Sequence, residues 1–180
     1  MRNKHVVAAI VEDRPGVLTR VAGLFRRRGF NIDSLTVGRT EIAGMSRMTL
    51  VVDGANTVVE QVVKQLYKVI DVVKVSDITH DESIMRELVL IKVAATASAR
   101  SDIIQIVEIY RAKIVDVAAD SLTIEITGPP DKIESFVSLV RPYGIKEMAR
   151  TGVVAMVRGA VGATQVEDQP IPIRRARGAR

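Results

Sequence analysis

The sequence has 180 residues, of which 47% are apolar and 3% aromatic, with no cysteine and no tryptophan. That length allows one medium domain or two small ones, and the lack of cysteine excludes disulfides, thiolate catalysis and zinc–thiolate sites. The formal net charge is +5, but part of it is a C-terminal run in which Arg174, Arg175, Arg177 and Arg180 face Glu167 and Asp168, which leaves little for a continuous nucleic-acid-binding face.

The first apolar stretch, HVVAAIV, is closed by Glu12-Asp13-Arg14. No small-residue cleavage site follows it, so it reads as a buried strand and not as a leader. Val17, Val21, Leu24 and Phe25 then mark the stripe of a helix that ends at Gly29. Arg26, Arg27 and Arg28 lie in its last turn, where cations complement the helix dipole. FNIDSLTVG and SRMTLVVDG are two strands around a polar loop at 40–46. Val59, Val62, Val63, Leu66, Tyr67 and Ile70 recur at helical spacing, and VVKVSDIT alternates as a half-buried strand. The order is βαββαβ.

THDESIMRE interrupts the pattern, with Asp81-Glu82 beside His80 reading as a solvated linker, and the same order begins again. ELVLIKVAAT is a strand, and Ile103, Ile106, Val107 and Tyr110 form a helix stripe. KIVDVAAD and LTIEITG are strands joined near Asp120-Ser121. Ile133, Phe136, Val137 and Val140 mark a helix opened by GPPDK, where proline is tolerated, and IKEMARTGVVAMVRG supplies the last strand. The expected fold class is α+β: two ferredoxin-like βαββαβ domains in tandem, each a four-stranded antiparallel sheet with two helices on one face. The domain limits read as 1–80, 81–159 and a disordered basic tail over 160–180. The uncovered sheet faces still carry Val, Ile and Met, so pairing between sheets or subunits is expected, and a homodimer with it.

No apolar run reaches the ~20 residues of a membrane span, and the lack of cysteine is compatible with the reducing cytoplasm expected as its location. His5 and His80 do not make a metal site, which needs three or four ligands. Asp77, Glu125 and Glu134 lack the spacing of paired acid–base work, and no G-x-S-x-G or Walker loop occurs. None of these arrangements amounts to a catalytic or metal site.

The turn EDRPGVL carries the chemistry that remains. Pro15 presets a helix start, Gly16 lacks a Cβ and permits close approach of a ligand, and the first-turn amides have no partners within the helix. Such an end accepts a small carboxylate. Asn31, at the start of the next strand, can donate and accept. A carboxylate, an ammonium and a small apolar side chain would all find partners here, which describes a branched-chain amino acid. A capped turn with no ligand is the plainer reading of the same residues.

The run VEDRPGVLTRVAGLFRRRGFNIDSLTVGRTE, followed by SRMTLVV and VVEQVVKQLYKVIDVVKV, resembles the regulatory (small) subunit of acetolactate synthase. Residues 4–80 resemble its amino-terminal ACT domain, and ESIMRELVLIKVAA to MARTGVVAMVRG its carboxy-terminal ACT-like domain. The resemblance implies a non-catalytic subunit that activates a catalytic subunit and confers feedback inhibition by valine, leucine or isoleucine. Thiamine diphosphate, magnesium and FAD would belong to the catalytic subunit. The effector would sit where two ACT domains meet, with Asp13, Pro15, Gly16, Val17 and Leu18 of one chain facing Asn31 and Ile32 of the other. Many relatives carry Asn where this chain has Asp13, whose carboxylate suits an ammonium and repels a carboxylate.

Three other readings share parts of the pattern. An RNA-recognition module would need aromatic residues on SRMTLVV or LTIEITG, and neither has one. An acylphosphatase-type enzyme would need a phosphate-cradling loop with a catalytic Arg and Asn, and Arg14 and Asn31 occur without the surrounding pattern of that family. An ACT-domain sensor of a different biosynthetic enzyme would share the helix-entry turn.

Overall fold

A computed structural model describes residues 4–160 together with Gly162 and Thr164. The tail expectation for 160–180 otherwise lies outside the described residues.

Strand β1 (Lys4–Glu12) is followed by helix α1 (Val17–Arg28), strands β2 (Ile32–Arg39) and β3 (Met45–Asp53), helix α2 (Asn56–Leu66) and strand β4 (Val72–Asp77). The second run comprises β5 (Ser83–Ala94), α3 (Arg100–Ile109), β6 (Lys113–Val117), β7 (Ser121–Gly128), α4 (Pro130–Val140), a 3-10 turn at Arg141–Tyr143 and β8 (Ile145–Arg150). A short β9 (Val154–Val157) closes the described chain. The first sheet has the order β2-β3-β1-β4 and the second β6-β7-β5-β8, with all pairings antiparallel. Two βαββαβ sheets in tandem are thus present.

Each helix pair buries its predicted stripe against one face of its own sheet. Val17, Val21, Leu24 and Phe25 of α1 join Val59, Val62 and Leu66 of α2 over Val7, Ala9, Val11, Met48, Leu50 and Val52. Ile103, Val107, Ile133, Phe136, Val137 and Val140 cover Val89, Ile91, Val93, Leu122, Ile124 and Ile126 in the second half. The α2 stripe runs out sooner than its sequence does. The helix ends at Leu66, Ile70 is exposed, and Tyr67 instead exchanges hydrogen bonds through its hydroxyl with the backbone of Val75.

The last predicted strand is two strands. Gly152 breaks it at φ +86°, and β9 leaves the second sheet to pair with Ser83–Arg86 at the start of β5. This ribbon lies on the face of the first sheet that its helices leave open. Val153 and Ala155 pack with Val6, Ala8, Val51 and Ile78, flanked by Met85 and Val157. The break THDESIMRE therefore contains the first third of a twelve-residue strand, which begins directly after Asp81-Glu82. The first sheet's second face is covered from within the chain, with no second copy required there.

Candidate functional site

The helix entry is built where β1 ends beside the start of β3. Asp13 N donates to Gly44 O at 2.8 Å, and Arg14 N donates to Glu12 O at 3.1 Å. Gly16 is the N-cap of α1 at φ +88°, in the left-handed region. An L-residue there costs roughly 1–2 kcal/mol. The glycine is thus required by the backbone itself, a reason that sequence reading alone missed when it assigned the bare Cα to ligand approach. The two reasons coexist, because a Cβ at Gly16 would meet nothing nearer than Arg20 Nη2 at 3.9 Å. No side chain caps α1, and its first turn holds no acidic residue. The amide end of the helix is electropositive and open.

The neighbouring side chains divide into a core part and an exposed part. Val17 is 3% exposed and belongs to the core, so its contribution to the turn is its amide. Leu18 is 48% exposed and stands beside it. Asp13 accepts from Arg39 Nε at 3.1 Å, on an exposed pair. Screening makes such a pair weak.

Asn31 and Ile32 are not at this end of the sheet. Ile32 is in register with Val52, whereas Glu12 is in register with Met45 on the same strand. Seven steps along β3 separate the two, or about 23 Å at ~3.3 Å per residue. Asn31 Nδ2 donates locally to Asp33 Oδ1 at 3.2 Å, and Ile32 is half-buried against the core. Within one chain the predicted residues form two separate groups: Asp13, Pro15, Gly16, Val17 and Leu18 at one end, Asn31 and Ile32 at the other. Arg14 belongs with the first group and Asn31 with the second, so no phosphate loop joining the two is assembled within the chain.

Beneath the turn lies a residue that the sequence reading did not single out. Asp71, in the turn between α2 and β4, has no solvent exposure and accepts hydrogen bonds from Arg14 and Arg20. Burial pushes its carboxyl up, but the hydrogen bonds and charges of Arg20 and Arg14 outweigh that and hold it below the usual carboxylate range. A single Asp in YKVIDVVKV carries no signal of this role, because its partners are more than fifty residues away.

A second polar cluster lies between the halves, beside a cleft of about 610 Å³. Glu87 accepts two bonds of 2.8 Å from Arg150, which also donates to Glu134 at 2.7 Å. Hydrogen bonding to Glu87 raises the Arg150 pKa further above its ordinary value, against the effect of burial. These charges answer one another. His5 Nε2 lies 3.0 Å from Gly54 O, and no group of three metal-ligating side chains occurs among the described residues. No helix among them is long and apolar enough to cross a membrane.

Comparison with known proteins matches both halves of the chain. Residues 7–74 match the family described as "AHAS small subunit-like ACT domain", and residues 86–159 match "Small subunit of acetolactate synthase". A probable acetolactate synthase small subunit of Archaeoglobus fulgidus is 60% identical over 156 residues, covering 87% of this chain and 98% of that protein. The acetolactate synthase small subunit of Mycolicibacterium smegmatis is 52% identical over 158 residues, covering 88% and 93%. The crystal structure of the acetolactate synthase small subunit from Thermotoga maritima is 44% identical with a TM-score of 0.81, over 88% of this chain and 99% of that one.

Proposed function

The chain belongs to the acetolactate synthase small-subunit family, and from that premise we propose that it is the regulatory subunit of an acetolactate synthase. In this reading it carries no catalysis of its own. It binds the thiamine diphosphate-dependent catalytic subunit, raises its activity, and makes it sensitive to valine, leucine or isoleucine. Residues 1–80 form the effector-binding domain and 81–159 the second domain, in a cytoplasmic homodimer.

The observation that carries the effector site is the separation of its two parts within one chain. β2 is an edge strand of the first sheet, and an unpaired edge invites a partner. Two copies related by a two-fold axis can pair their β2 edges antiparallel. That pairing brings the Ile32 end of one β2 to the Arg39 end of the other, beside the partner's helix entry. The amides after Gly16 then receive the effector carboxylate, Asp13 and Asn31 the ammonium, and Leu18 with Ile32 bounds the apolar side chain. Asp13 lies close enough to Arg39 for its repulsion toward a carboxylate to be partly neutralised. One methylene discriminates by about 1–3 kcal/mol, so the three branched-chain amino acids overlap as effectors.

Inhibition requires unequal binding of the effector to two states of the holoenzyme, and a coupling of about 1–3 kcal/mol suffices. Calorimetry with valine, leucine and isoleucine on the wild type and on Gly16→Asp tests the site. Binding is expected in the wild type and absent in the variant, whose added carboxylate lies at the helix entry. Equal affinities would remove the assignment, and a chain that sediments as a monomer with effector present would remove the two-chain arrangement.

A further inference from the structure

Asp71 makes contact with the helix entry at three levels. Its backbone carbonyl accepts the Glu12 amide at 2.9 Å, fixing the end of β1. Its Oδ1 accepts from Arg14 Nε at 2.8 Å and from Arg14 Nη2, in the loop. Its Oδ2 accepts from Arg20 Nη1, one turn into α1. The carboxylate is wholly buried, while both arginine side chains are about half exposed. A buried anion thus holds two cations whose outer faces meet solvent beside the Gly16 turn.

Electrostatics gives the arrangement its purpose. Positive charge at a helix N-terminus is opposed by the macrodipole, and Arg14 and Arg20 bring two such charges to a helix with no acid in its first turn. Asp71 supplies that acid from another element. It occupies one Nη group of Arg20 and leaves the other, Nη2, at 3.9 Å from where a Cβ of Gly16 would stand. Five donors on each guanidinium exceed what Asp71 and, for Arg14, Glu12 Oε2 at 2.8 Å from its Nε can accept, so donors remain at the turn.

We propose that Asp71 is the positioning residue of the effector site, holding Arg14 and Arg20 over the Gly16 turn as a fixed guanidinium pair that receives the effector carboxylate together with the helix amides. This rests on the helix-entry reading of the site. Preorganised donors bind a carboxylate without first ordering two long side chains.

The test uses the full chain with Asp71→Asn, Arg20→Gln and the double variant, titrated with valine and with valinol, which lacks the carboxylate. Arg20→Gln alters a half-exposed side chain and decides the matter if Asp71→Asn does not fold. Each single variant is expected to bind valine at least tenfold more weakly while its valinol affinity changes less than threefold. The double variant should be no weaker than the worse single one, and Arg20→Lys should fall between wild type and Arg20→Gln. Wild-type valine affinity in the single variants would overturn the proposal. So would equal losses of valine and valinol, which would make the network purely structural. A wild-type chain that binds none of the branched-chain amino acids would instead overturn the site reading itself, and with it the role given to Asp71.

Discussion

The hydroxyl of Ser34 accepts the amide of Val153 at 2.9 Å, joining two residues that lie 119 positions apart in the chain. Thr36 completes the attachment by donating to Val153 O at 3.0 Å. The strand that begins with the proposed effector residue Ile32 is therefore fastened directly to the segment leaving the second sheet.

Gly152 is what allows this junction to close. It stands at φ +86°, and a Cβ there would lie 2.6 Å from Ser34 Oγ and 3.0 Å from Thr36 Oγ1. Gly152→Ala should cost about 2–4 kcal/mol from backbone strain and overpacking together. In a Ser34→Ala background the larger part of the overpacking should fall away, leaving the contact with Thr36 Oγ1, so the two changes would be non-additive. Urea unfolding of the four corners of the cycle measures this. Simple additivity would mean that the junction yields.

The pair Glu87 and Arg150 gives a second expectation. Glu87 is 6% exposed, and Arg150→Met would leave its carboxylate buried without its bidentate partner. Breaking a buried pair in this way costs about 3–5 kcal/mol. The partial exposure of Arg150 puts the expected loss at about 3 kcal/mol. Glu87→Leu with Arg150→Met should recover most of it, because the uncompensated charge is gone. Thermal and chemical denaturation of the single and double variants will separate these outcomes.

Acid should reveal the Asp71 network as a difference between wild type and Asp71→Asn. The folded Asp71 carboxyl lies below its ordinary value, and its unfolded value is about 3.9. A depressed folded pKa contributes stability that is present above the unfolded pKa and is lost as pH falls through the folded one. The stability gap between wild type and variant should therefore be constant from about pH 8 to about pH 5 and shrink below about pH 4. A gap that closes near neutral pH would mean that Asp71 is not ionised against Arg14 and Arg20.

The elements that rest on local periodicity were legible before the fold was known. Ile133, Phe136, Val137 and Val140 can share one face only on a helix, and Val89, Ile91 and Val93 share one only on a strand. What was not legible depends on distant neighbours. Val153, Ala155 and Val157 alternate plainly, yet alternation cannot say which sheet they cover, and they cover the other half's. Met85 falls in a break of the apolar pattern, and only Ala155 opposite it in the ladder makes it a strand residue. The helix-entry turn was legible as a turn, but the left-handed backbone of Gly16 and the carboxylate beneath it were not. The family resemblance already set Asn31 across a chain boundary from Gly16, and the register of β1 and β2 on β3 shows how far apart they lie within one chain.

Strand β5 runs unbroken for twelve residues, its first part laddered to β9 and the rest at the centre of the second sheet. Through Val153 and Ala155 packed on Val6, Ala8, Val51 and Ile78, the ribbon on this strand ties one half to the other. It also means that neither half is a self-contained cassette. A chimera spliced at residue 80 would take away the roof over Val6, Ala8, Val51 and Ile78, and a graft that moved the first half alone would expose an oily floor to water. Recombination between relatives should therefore be tolerated only where the ribbon and the sheet it shelters are inherited as a unit.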